Sequence, residues 1–282
     1  MVYVLFGLAV CGAVLECMAA AAALLPPLRS RPFGALTLPR LLAAGGALSF
    51  ALLLAIRGMH YQLLPLTSGV ESLSLMVIMI VATVLAITLD QRRRTLLLIY
   101  LPAVAAISIV AAMLAPAALR EAPKPLSAAL LLLHVVPAFL AYAWFFIAML
   151  TSAVYLYQAA RLKRRAALSL QHLPSLEQLD ATLFHLIRMA YPLFVLTLIL
   201  GAYWAWYDRA LLGAYWWLSP KIILSLCMVV IYAVCYHGRA AGWLRGPRLA
   251  NVLVIGIGGL LASYLVLEIF HLTNYNFWDG AA

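Results

Sequence analysis

Charge is what this chain has least of. Only 10% of its 282 residues are Asp, Glu, Lys or Arg, against about a quarter in a soluble domain. That scarcity excludes a soluble enzyme and a disordered tail alike. Cysteine is sparse as well: Cys11, Cys17, Cys227 and Cys235 form no CxxC and all sit inside apolar runs. A secreted disulfide scaffold is thereby excluded, and the four read as small buried hydrophobes. No GxGxxG, Walker or HExxH pattern occurs, which leaves nucleotide and zinc-protease chemistry without residues. Weakly alternating ten-residue segments, the mark of a transmembrane barrel, are also missing.

What is present is apolar: 67% of the side chains are hydrophobic and the mean hydropathy is +1.04. A span takes roughly 20 such residues to cross a hydrocarbon core of about 30 Å. Eight segments suffice, over about 3–25, 41–60, 69–89, 95–115, 126–157, 181–206, 216–237 and 249–271. The fold class predicted is an all-α polytopic membrane helical bundle of eight transmembrane helices, one transmembrane domain over 1–282, in the plasma (inner) membrane. The first segment has no positive residue before it and Arg29, Arg31 and Arg40 after it, so it is expected to be a retained helix rather than a signal peptide.

The net charge of +10 would suggest nucleic acid in a soluble protein. Here the basic residues fall in short clusters between spans, a topology signal, and no nucleic-acid partner is expected. One set of alternate connections carries 13 of them: Arg29, Arg31, Arg40, Arg92, Arg93, Arg94, Arg161, Lys163, Arg164, Arg165, Arg239, Arg245 and Arg248. The other set carries 4, Arg57, Arg120, Lys124 and Arg209. The richer side is assigned to the cytoplasm, which puts both termini outside. The one sizeable cytoplasmic connection, about 158–180, ends at Pro174-Ser175-Leu176-Glu177, where Ser175 is placed to cap a helix.

Histidine is expensive in a membrane and ligates haem iron and other metals, so its positions are informative. By this topology His60, His134 and His271 lie near the outer face, His185 and His237 near the cytoplasmic face, and His172 in the cytoplasmic connection. Paired histidines across a bundle suit axial ligation of one haem iron; an interhelical hydrogen bond or an interfacial anchor is the alternative for each. Trp204, Trp206, Tyr215, Trp216 and Trp217 crowd the outer connection between spans six and seven, more than an aromatic belt requires. Arg57, Lys124, Arg209 and Lys221 are outer cations able to meet haem propionates, and Arg188 is one turn from His185. Each also fits a snorkelling cation. Glu71 opens span three, Glu268 precedes His271 by one turn, and Glu16, in the middle of span one, is expected to be either protonated or paired.

Several stretches resemble the cytochrome c assembly proteins of the CcsA/ResC type and their shorter HemX-like relatives. Leu133-His134-Val135 with Ala141-Tyr142 and the run to Tyr155-Leu156-Tyr157-Gln158 resembles the family's histidine-bearing helix. Pro65-Leu66-Thr67-Ser68-Gly69-Val70-Glu71-Ser72 resembles its P-L-S-N-x-x-E-S motif, and Gly213-Ala214-Tyr215-Trp216-Trp217-Leu218-Ser219-Pro220-Lys221 its tryptophan-rich WWD segment. Tyr236-His237-Gly238-Arg239 and Gly242-Trp243-Leu244-Arg245-Gly246 resemble a helix-end histidine and its basic loop. Together these cover about residues 60–275, in the family's order.

The resemblance implies haem binding, with haem b as cofactor or cargo. His134 and His271 would be outer axial ligands under Tyr215, Trp216 and Trp217, with His60 in reserve. His237 would be the family's membrane histidine; by depth and spacing, apart from the resemblance, His185 and His237 are expected to form an inner pair, with Arg188 and, at the outer face, Lys221 meeting propionates. It also implies apocytochrome c and a ResB/CcsB-like membrane protein as partners, within a haem lyase if catalysis is involved. Ser219 stands where the family has Asp, and Ile222 at the next acidic position, which moves the reading toward the HemX-like branch. Haem handling or translocation is thus preferred over independent catalysis, and a HemX-type regulator or scaffold of haem biosynthesis is the alternative. A solute transporter would show paired inverted repeats, and none is found.

Overall fold

The computed structural model describes residues 1–24, 37–61, 69–118, 128–163, 174–207, 216–218 and 220–269. Among the described residues the protein is helical throughout. The helices are α1 (Val2–Leu24), α2 (Thr37–Tyr61), α3 (Gly69–Ile87), α4 (Leu97–Ala118), α5 (Ala128–Lys163), α6 (Leu176–Tyr207), α7 (Pro220–Ala240) and α8 (Pro247–Ile269), with short 3-10 turns at Gln91–Leu96 and Trp216–Leu218. Seven of them, α1 to α7, are long and apolar enough to cross a membrane; α8 adds a further 23-residue helix. The multi-pass helical bundle is what the apolar runs predict.

The chain forms two compact units, Met1–Ala128 and Ala129–Ala282. In the first, α1 packs on α2 and α4, and α3 packs on α2 and α4, so four helices close into a ring. Small residues allow the approach: Ala9, Gly12, Ala13, Ala19, Ala20 and Ala23 of α1 are buried, and a Cβ on Gly12 would stand 2.7 Å from the Phe50 ring. With no hydrophobic drive between helices in lipid, close backbone packing of this kind holds a bundle together. Arg57 of α2 and Glu71 of α3, both fully buried, form an ion pair, and the Arg40 guanidinium donates to the Leu85 carbonyl at 3.3 Å.

The second unit is built from α5 to α8, with α7 packed on α6 and on α8. An aromatic core joins α5, α6 and α7: Phe145 stacks on Tyr232 at 3.7 Å between centroids and meets Phe194 edge-on at 5.4 Å. Pro137 lies inside α5 and Pro192 inside α6, each removing one intrahelical hydrogen bond and freeing a carbonyl one turn earlier. Pro220 and Pro247 open α7 and α8, the position where a missing N–H costs nothing. Ser175 caps α6 as its sequence suggests: the Gln178 N–H donates to Ser175 Oγ at 3.2 Å and the Ser175 N–H to Gln178 Oε1 at 3.1 Å, a reciprocal capping box.

The α7–α8 connection turns on two glycines in the left-handed region, Gly242 (φ 86°) and Gly246 (φ 61°). Asp180 of α6 fastens it, with Oδ2 accepting from Arg239 and Oδ1 accepting the Gly246 N–H at 3.2 Å.

Candidate functional site

The best-defined histidine environment is that of His134, on the first turns of α5 and half-buried. Its Nδ1 lies 3.0 Å from the Thr197 carbonyl oxygen of α6. A carbonyl only accepts, so Nδ1 is the donor, and in the neutral imidazole the lone pair resides on Nε2. The ring leans on Trp204, at 5.9 Å between centroids and tilted by 55°. Beneath it is Gly201, where a Cβ would stand 2.7 Å from Cε1. Thr197, Gly201 and Trp204 lie at four- and three-residue steps along α6, one face of a helix, and together they fix the ring's tautomer and plane.

This is how a ligating histidine is commonly held, with the far nitrogen anchored to a carbonyl. The residues around His134 therefore fit an axial haem ligand on the chemistry of the donor atoms: a basic Nε2, an oriented ring and an indole beside it. Among the described residues no three or more of His, Cys, Asp and Glu gather as for a chelated metal ion.

The other predicted residues divide. His185 on α6 is half-buried against Trp144 of α5, at 5.8 Å between centroids. His237, at the end of α7, is exposed and meets Tyr236 and Tyr191 edge-on, the latter on α6. The two histidines thus have aromatic neighbours on different helices, and Arg188, exposed on α6, follows His185 by one turn. His60, in the N-terminal unit, is exposed and meets Tyr61 edge-on at 4.9 Å. Trp217 is exposed in the short 3-10 turn. Trp216 and Lys221 are described in their backbone, and His271 and Tyr215 lie outside the described residues, as does the side chain of Glu268.

Arg57 departs from its expected role. Rather than an outer cation offered to a propionate, it is fully buried, paired with Glu71 and placed over the Tyr61 ring at 5.4 Å. The sequence reading also passed over Thr197 and Gly201. A backbone carbonyl leaves no mark in a sequence; a glycine inside an apolar helical run is the one signal of close approach that was there.

Residues 46–272 match the model of the cytochrome C assembly protein family. Protein HemX of Brevibacillus brevis is 32% identical over 146 residues, 51% of this chain and 53% of that protein. Cytochrome c biogenesis protein CcsA of Thermosynechococcus vestitus is 32% identical over 98 residues, 35% of this chain and 30% of the relative. CcsA of a Synechococcus strain is 34% identical over 97 residues, 34% of this chain and 27% of the relative. The matches thus span about half or less of these relatives. No solved structure matches. With a family match over most of its length, the chain belongs to the cytochrome c assembly proteins.

Proposed function

We propose that this chain is a haem-binding integral membrane protein that handles or translocates haem, in cytochrome c biogenesis or a related haem pathway. The observation that carries this reading is the anchoring of His134: Nδ1 on the Thr197 carbonyl, ring on Gly201 and Trp204. With Nδ1 donating to the carbonyl, the lone pair of the neutral ring is on Nε2, the nitrogen through which a haem iron would be bound. Haem b supplies an iron with two axial positions and two propionates to such a site.

The outer site would pair His134 with His271, with Tyr215, Trp216 and Trp217 as the aromatic face and Lys221 for a propionate. His185 and His237, with Arg188, form the inner candidate pair. A ResB/CcsB-like membrane protein and apocytochrome c are the partners this reading implies, in the plasma membrane. Replacing His134 and His271 together by Ala is expected to abolish the haem absorbance and the pyridine haemochrome of the purified protein at unchanged expression. A full wild-type spectrum in the double variant eliminates the outer site.

The similarity to HemX over 146 residues, with Ser219 in place of the acidic residue, favours a second reading. In it the chain regulates or scaffolds haem biosynthesis without transferring haem. Haem-free purified protein, with capture of a biosynthetic enzyme that depends on residues 158–180, supports that reading instead.

A further inference from the structure

Glu16 lies in the middle of α1, fully buried, and among the described residues neither carboxyl oxygen has a hydrogen-bond partner. It precedes the residues matched to the family, 46–272, and belongs to the four-helix ring of the N-terminal unit. The sequence leaves two states open for it, protonated or paired. The structure supplies no pair.

The surroundings are specific. Across from Glu16, α2 carries Gly46, where a Cβ would stand 2.6 Å from Oε1 and 2.9 Å from the carboxyl carbon. The carboxyl therefore occupies the volume that a glycine alone leaves open. Two helices pack on α1, and neither brings a charge to it. On α2, Ser49 Oγ donates to the Gly45 carbonyl at 3.1 Å and sits 3.8 Å from Cys11 Sγ. The arginines of α2 are engaged elsewhere, Arg40 with the Leu85 carbonyl and Arg57 with Glu71. On α4, residues 97–118 contain no Asp, Glu, Lys, Arg or His, and Tyr100 is the only titratable side chain. On α1 itself the titratable side chains besides Glu16 are Tyr3, Cys11 and Cys17.

An ionised carboxylate without donors or a counter-ion is not tolerated in such surroundings, whereas the neutral acid is. A metal cation is a poor substitute: hard cations such as calcium ask for roughly six or more oxygen ligands, and among the described residues no His, Cys, Asp and Glu gather as a metal-holding group.

We propose that Glu16 is a proton-binding site of the N-terminal bundle, a neutral carboxyl seated on Gly46 that releases its proton to water, and takes one back, when α1 and α2 part. The bond broken and remade is the carboxyl O–H; the proton goes to water and the carboxylate is left to be solvated by the same opening. Along the α1–α2 seam Ser49 is one turn from Gly46 and Cys11 is five residues before Glu16.

The test is labelling of the purified full-length protein with dicyclohexylcarbodiimide, an apolar reagent that reacts with protonated carboxyls, followed by peptide mass spectrometry. The expected result is an adduct at Glu16 that forms about tenfold or more faster at acidic than at alkaline pH. It is lost in Glu16→Gln and slowed about tenfold in Gly46→Ala, whose methyl group displaces the carboxyl. Infrared spectroscopy of the unmodified protein is expected to show a carboxylic C=O band that Glu16→Gln removes; the wild-type measurement alone suffices if that variant folds poorly. Absence of both the adduct and the band means that Glu16 is ionised and overturns the proposal. Protection from labelling by sodium ions at constant pH overturns it in favour of a metal-cation site.

Discussion

Arg57 and Glu71 close on one another across the α2–α3 seam with no exposure of either side chain. Fourteen residues separate them in the chain, and each is the other's compensation for burial, since either one alone would stand in the seam without its partner. The guanidinium also lies over Tyr61, so the end of α2 is held by both charge and ring.

Removing one member is therefore expected to cost far more than removing both. Arg57→Met should lower the apparent unfolding free energy in detergent by about 3–5 kcal/mol, and Arg57→Met with Glu71→Leu should restore most of it. Denaturant titrations of the two singles and the double, arranged as a cycle, measure this; a loss in the double variant equal to the sum of the two single losses would show that the side chains do not compensate one another.

Gly201→Ala places a methyl group where His134 Cε1 now lies. The ring must move off the Thr197 carbonyl, at a cost of about 1–3 kcal/mol. If His134 ligates haem, the Soret maximum and the haem content of the purified variant change while helix content by circular dichroism does not. An unaltered spectrum from a folded variant with full haem content would detach His134 from the iron.

Ser175→Ala removes the oxygen that accepts from the Gln178 N–H. The expected loss is about 1 kcal/mol, visible as faster amide exchange confined to residues 176–179, and Ser175→Asp should retain protection. Exchange unchanged in the alanine variant would mean that the start of α6 is held by tertiary contacts instead.

Gly246→Ala forces a side chain into φ 61° and toward the Tyr155 hydroxyl, 3.1 Å from the new Cβ. The left-handed conformation alone costs roughly 1–2 kcal/mol. Because Asp180 accepts the Gly246 N–H, Asp180→Asn combined with Gly246→Ala should cost less than the two single losses together. Thermal unfolding in detergent decides this.

The orientation rests on the Lys and Arg distribution, 13 against 4. Reporter fusions at Gln171 and at the C-terminus should report opposite compartments, the first cytoplasmic. Matching compartments would overturn the eight-span arrangement and the inner and outer assignment of every histidine.

The helices were legible because an apolar run long enough to span has one satisfactory backbone arrangement in lipid. Their ends were less so. The fifth span was read to 157 and the helix runs to Lys163; the sixth was read from 181 and the helix begins at Leu176. Polar side chains at a helix end say where the apolar slab stops, whereas hydrogen bonding carries the helix beyond it. Ser175 was legible since a capping residue announces itself locally. Of the candidate site, His134 and Trp204 stood out by residue type, yet their contact depends on the register between α5 and α6, which the order of residues along one strand of sequence does not encode. Arg57 was misread for the same reason: a cation at a span's end looks alike whether it snorkels or meets a partner from the next helix.

The ring of α1 to α4 closes through its first and last members, and this sets an order of events during synthesis. In chain order α1 precedes α2 and α4, so the niche at Gly46 exists only once α2 has followed. Glu16 thus enters lipid ahead of every group that later surrounds it. An acid can cross that interval cheaply only by carrying its proton with it, so the proposal for Glu16 implies a proton acquired at membrane insertion, before the bundle that encloses it exists.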